Sequence, residues 1–212
     1  MLREAAVAIS LIAAGATGAP RLETTGPLTD RSASEQVRAA LESGGERVLM
    51  PGGPWCEVWL RKKIPDEKNS TPGSLQPNLG VSTAVGVIRF SDVATDFRGQ
   101  AIRPGLYTLR YAAIPSDGNH MGVSEYPDFL LVVPVADDPD PDTRFKLEEL
   151  ARLSTKATGT KHPGVFSLTR APGPNSPSVT VNDAGQVVLQ MKAKIGAGEA
   201  PIALVVQGHT QQ

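Results

Sequence analysis

The chain has one cysteine, little net charge, and no apolar run near the roughly 20 residues that a membrane-crossing helix needs. A single Cys56 excludes an internal disulfide, and also a zinc ribbon or iron–sulfur cluster held by cysteines alone. With 21 Lys+Arg against 22 Asp+Glu the formal charge is −1, which removes the global basic field that nucleic-acid binding draws on. Catalytic signatures are also missing. There is no HxH or HExxH, and Gly122-Val123-Ser124-Glu125-Tyr126 lacks the second glycine of a nucleophile elbow. No glycine-rich phosphate cradle precedes a helix. A blue-copper site needs a His and a Met near its Cys, and none follows Cys56 in its strand or the adjacent loop.

What is present is a 212-residue chain, 40 % apolar, a length and composition suited to one domain with appendages. Its 21 Gly and 18 Pro imply many turns and short strands. The N-terminus has one basic residue, Arg3, then an apolar run from Ala5 to Ala14. Ala16 and Gly18 supply the small residues that a signal peptidase requires, so residues 1–18 read as a signal peptide cleaved before Ala19. No cysteine follows to carry a lipid. The expected location is therefore outside the cytoplasm, periplasmic or extracellular.

Residues 19–31 lack periodicity and read as a linker, leaving 32–212 as one domain. Ser32-Ala33-Ser34-Glu35 matches a capping box for a short helix carrying Val37, Ala40 and Leu41, ending at Gly44-Gly45. Nearly everything after it patterns as strand: 47–50, 55–61, 84–90, 106–113, 129–133, 165–168, 179–181, 186–195 and 202–207. Residues 65–83 read as a long loop. A second helix is expected from Asp140-Pro141 to Gly159, its apolar residues spaced mostly by three or four. The expected fold is mainly β, an antiparallel β-sandwich with one or two peripheral helices.

Alternation along 55–61 puts Cys56, Val58 and Leu60 on a core face and Trp55, Glu57, Trp59 and Arg61 on the other. The second face has two readings. Its indoles pack under a partial cover with the charged tips in water, or they stack on a sugar ring while Glu57 and Arg61 bond its hydroxyls. His120, His162 and His209 fall in loops or at strand ends. Three neutral imidazoles with an open position would suit zinc or copper, although their spacing carries no signal of its own. Asp137, Asp138, Asp140 and Asp142 form the densest acidic cluster. An EF-hand would need glycine where Thr143 stands, so these acids are assigned to the N-terminal dipole of the second helix.

Four stretches carry a resemblance: CEVWLRK from Cys56, RPGLYTLRY from Arg103, DGNHMGVSEYPDFLLVV from Asp117 and GTKHPGVFSL from Gly159. With the closing Ala203 to His209, they resemble a family of exported bacterial β-sandwich proteins to which no function is assigned. The resemblance spans most of the chain after residue 18 and implies export and an all-β architecture, but no reaction. The expected function is a non-catalytic binding or accessory module of the cell envelope, possible ligands being a glycan or an envelope protein. The alternative is a metal-binding protein or metal-dependent enzyme built on the three histidines. Whether the chain is an enzyme is left open by its residues.

Overall fold

A computed structural model describes residues 18–114 and 125–208. In chain order its elements begin with β1 (Arg21–Thr25), α1 (Glu35–Ala40), β2 (Gly45–Met50), β3 (Gly53–Leu60) and β4 (Ala84–Phe90). They continue with β5 (Ala94–Thr95), β6 (Ala101–Ile102), β7 (Gly105–Ala113) and β8 (Asp128–Pro134). The chain closes with α2 (Leu147–Thr158), β9 (Val165–Thr169), β10 (Ser178–Val181), β11 (Val187–Ile195) and β12 (Gly198–Gln207). The fold is mainly β with two helices among the described residues, as the strand patterning requires.

Ten strands form one antiparallel sheet in the order β1-β2-β3-β4-β7-β8-β9-β12-β11-β10, with β5 and β6 as a separate ribbon. The two layers expected of a sandwich are the two halves of this sheet, which curls into a nearly closed barrel. Its ends, β1 and β10, approach one another without pairing. The interior is filled by alternate residues of every long strand, among them Val58, Phe90, Leu109, Leu130, Phe166, Leu189, Met191 and Leu204. Phe90 and Phe166 stack across it at 5.6 Å.

Several strands are apolar on both faces because the outside of the barrel is also covered. Leu28, Ala33, Val37 and Leu41, in and around α1, pack on Trp59, Val87 and Leu106. Leu150 and Leu153 of α2 pack on Ala112, Leu131 and Val133. The helical spacing of Leu150, Leu153 and Ala157 thus buries a stripe against strands that have no wet side.

Three local expectations are corrected. Residues 19–31 are not a linker: Arg21–Thr25 pairs with β2, Leu28 is buried and Asp30 holds Arg89. The cap of α1 is Ser34, whose Oγ accepts from Val37 N at 3.0 Å, while Ser32 bonds Asp30 instead. The helix then stops at Ala40, well before Gly44-Gly45. Helix α2 starts at Leu147, not at Pro141. The reason lies in β7, where the fully buried Arg110 draws the carbonyls of Asp140 (2.9 Å) and Thr143 (2.8 Å) onto its guanidinium. These contacts hold residues 140–143 as a separate turn ahead of the helix, in which the Asp140 carbonyl also accepts from Thr143 N at 3.2 Å. The C-terminal end is as expected, Gly159 closing the helix at φ 69°.

The same guanidinium pairs with Asp138, Nη2 to Oδ1 at 2.5 Å and Nε to Oδ2 at 2.7 Å, both side chains at 0 % exposure. The loop 65–83 is fastened by a second buried carboxylate. Asp128 accepts from Ser74 Oγ at 2.6 Å, Leu75 N at 2.7 Å and Tyr111 Oη at 2.5 Å. Burial pushes the Tyr111 phenol well up, so it remains a proton donor.

Candidate functional site

The face expected from Trp55, Glu57, Trp59 and Arg61 does not form a shared surface. Val48 pairs with Cys56 and Leu49 with Pro54, which leaves Trp55 as the extra residue of a β-bulge. The bulge breaks the alternation on which a common face depends. Trp55 therefore packs, half-buried, against the barrel interior, and its Nε1 donates to Val206 O at 2.8 Å. Trp59 lies in the outer cluster under α1, 2 % exposed, with Nε1 donating to Gly26 O at 2.8 Å. Arg89 covers its ring at 5.4 Å. A stacking platform for a sugar needs open indole faces side by side; Trp59 is covered by protein, and the half-buried Trp55 packs apart from it.

The charged members are occupied as well. Register sets Arg47, Glu57 and Arg89 side by side on β2, β3 and β4. Glu57 accepts from Arg47 Nη2 at 2.6 Å and from Arg89 Nη1 at 3.1 Å, a cross-strand ladder of one acid between two guanidinia. Arg61 reaches Asp142 Oδ1 at 2.5 Å and Pro141 O at 3.2 Å. The close fit around Trp59 also explains two glycines. A Cβ on Gly45 would come within 2.6 Å of the indole, and one on Gly86 within 2.2 Å of the Trp59 carbonyl.

His162 is exposed in the turn after α2, while His120 and His209 lie outside the described residues. Among the described residues no three His, Cys, Asp or Glu side chains gather as a metal set. The acidic cluster serves three separate cations: Asp137 holds Lys156, Asp138 holds Arg110 and Asp142 holds Arg61. It does not sit at the start of α2, because that helix begins downstream. Cys56 is buried in the interior, where desolvation pushes its thiol far up and leaves it unreactive.

The candidate site lies where the curled sheet fails to close. After β3 the chain crosses the gap, and Ile64 forms a parallel bridge to Ile195, with Ile64 N on Lys194 O at 2.8 Å. Beside this bridge is an open cleft of about 320 Å³ between the β2–β3 side and the β10–β11 side. Its apolar lining is Val58, Leu60 and Met191, and its polar lining includes Glu46 and Ser176. A strap crosses it, Lys194 Nζ to Glu42 Oε1 at 2.9 Å, and Lys192 faces Glu199 at 3.6 Å.

Glu46 is the anomaly in this cleft. It stands directly opposite Val58, which places it on the inward face of the sheet. Among the described residues no hydrogen bond or ion pair reaches its carboxylate, and desolvation pushes its pKa up. The Ser176 Oγ is likewise shut off from solvent without a partner. A signal for Glu46 existed in the sequence, an acid in phase with Val48, but a strand read from Arg47 leaves it out. The arrangement can bind: it offers an apolar wall, an uncompensated negative charge and a free hydroxyl. No family model, curated protein or solved structure matches this chain.

Proposed function

We propose that this chain is an exported, non-catalytic binding or accessory module of the cell envelope, taking its ligand in the seam cleft. The observation that carries the reading is an inward-facing, half-buried Glu46 that no cation among the described residues neutralises, set in a cleft of about 320 Å³. A charge kept partly desolvated and unpaired costs stability, and such groups gather at working sites. The volume lies at the lower end of small-ligand pockets. Support for export is the apolar run at residues 5–14 followed by Ala16 and Gly18. The buried Trp59 and its separation from the half-buried Trp55 withdraw support from a sugar-stacking version, so the ligand's contacts are those of the cleft.

The experiment is a nuclear magnetic resonance titration of the full chain with soluble peptidoglycan fragments, plain oligosaccharides and short peptides. Amide shifts centred on Glu46, Leu60 and Met191 are expected from at least one class. Shifts confined to other faces, or none at all, overturn the reading. Export is tested separately by fusing residues 1–18 to a reporter active only outside the cytoplasm. Retention of the reporter inside removes that part.

A further inference from the structure

The charge balance of the cleft narrows what it takes, on the premise that it is the binding site. Its lining carries five ionisable side chains, three acids and two lysines. Lys194 is engaged by Glu42 at 2.9 Å, and Lys192 faces Glu199 at 3.6 Å. That leaves one negative charge over, and it belongs to Glu46. Below the rim the walls are methyl and methylene groups of Val58, Leu60 and Met191. A guest that completes this site presents one positive charge with donor hydrogens at the end of a slender aliphatic stem.

We infer that the cleft binds a primary ammonium group on a short alkyl chain, the ammonium donating to the Glu46 carboxylate while the stem lies along Leu60 and Met191. The Ser176 hydroxyl, which has no partner among the described residues and is closed to solvent in the free protein, accepts a further N–H from the same group once the guest displaces its cover. An ammonium has three donors and suits two acceptors of different kinds plus a water, here the Glu46 carboxylate and the Ser176 hydroxyl. Pairing is charge-assisted, in a partly desolvated setting where such a bond is stronger than in water. The chemistry has two sources, a free aliphatic amine or the lysine-type side chain of a peptide.

The test is a titration of the full chain at neutral pH and low salt, followed by amide shifts of the cleft residues. The probes are n-butylamine, 1,5-diaminopentane, a capped lysine within a tripeptide, n-butanol and butyrate. The amines are expected to saturate the cleft shifts, with butanol and butyrate at least about ten-fold weaker, a difference of roughly 1.4 kcal/mol. Glu46→Gln should weaken amine binding by about ten-fold or more, Ser176→Ala by less, and the remote Glu148→Gln on α2 not at all. Tighter binding by the tripeptide than by the free amines identifies a peptide source, and the reverse order a free amine. Because Glu46→Gln keeps the shape and removes only charge, a folded variant with undiminished amine binding overturns the inference. If butanol or butyrate fills the cleft as well as the amines, the ammonium assignment fails while the binding-module reading stands. If no probe and none of the envelope fragments shifts the cleft, both fail.

Discussion

Replacing the Arg110–Asp138 pair tests whether the guanidinium or the ion pair itself holds the outer layer on the barrel. Both side chains have 0 % exposure, and the guanidinium also donates to the carbonyls of Ser82 (2.8 Å), Asp140 (2.9 Å) and Thr143 (2.8 Å). Asp138→Asn removes the counter-charge and strands a buried cation, a change that costs about 3–5 kcal/mol. For a chain of this size that lowers Tm by roughly 6–20 °C. Exchanging a buried pair for apolar residues of similar volume is commonly neutral or stabilising. Here the outcome should differ, because Arg110→Met with Asp138→Leu also leaves the buried Ser82 carbonyl without that donor, at about 1–3 kcal/mol. The carbonyls of Asp140 and Thr143 lie nearer the surface, where water can replace the guanidinium. The double variant is therefore expected to stay about 1–3 kcal/mol below the native chain in urea unfolding, with its slope unchanged. A double variant as stable as the native protein, or more so, would refute the role given to the Ser82 carbonyl.

Other outcomes follow from single groups. Gly86→Ala places a Cβ 2.2 Å from the Trp59 carbonyl, a clash with backbone, and should cost at least about 2 kcal/mol by thermal unfolding. Glu46→Gln should stabilise the chain at neutral pH. A carboxyl raised by burial lowers stability as pH climbs from its ordinary range through the raised value, so the variant's advantage should vanish in acid and be complete above it. An advantage independent of pH would show that charge is not the cause. Cys56 should resist a thiol-specific reagent in the folded protein and react fully in denaturant; rapid labelling of the native chain would contradict its burial.

Much of the architecture was legible because β-strands announce themselves locally. Residues 84–90 form β4 as patterned, and Asn182-Asp183-Ala184-Gly185 turns β10 into β11 as its residue types require. What was illegible depended on distant partners. A five-residue edge strand such as β1 has too few residues to show a period. The turn ahead of α2 is held by Arg110, more than thirty residues before the helix starts. The separation of Trp55 from Trp59 comes from a bulge that only the pairing with β2 reveals. The cleft required the two ends of the sheet to meet, information that no local window contains. Glu46 was the partial exception, one charge in step with an apolar face.

The unpaired meeting of β1 and β10 gives the molecule a freedom that fully laced barrels lack. Widening the gap breaks no ladder, since a slight loss of curvature spread over ten strands moves the two margins apart. The Ile64–Ile195 bridge holds one end of the opening, and among the described residues the Glu42–Lys194 contact is an exposed tie across it. On the binding reading proposed above, a guest of somewhat larger girth would be admitted by bending the wall at the expense of one solvent-screened ion pair.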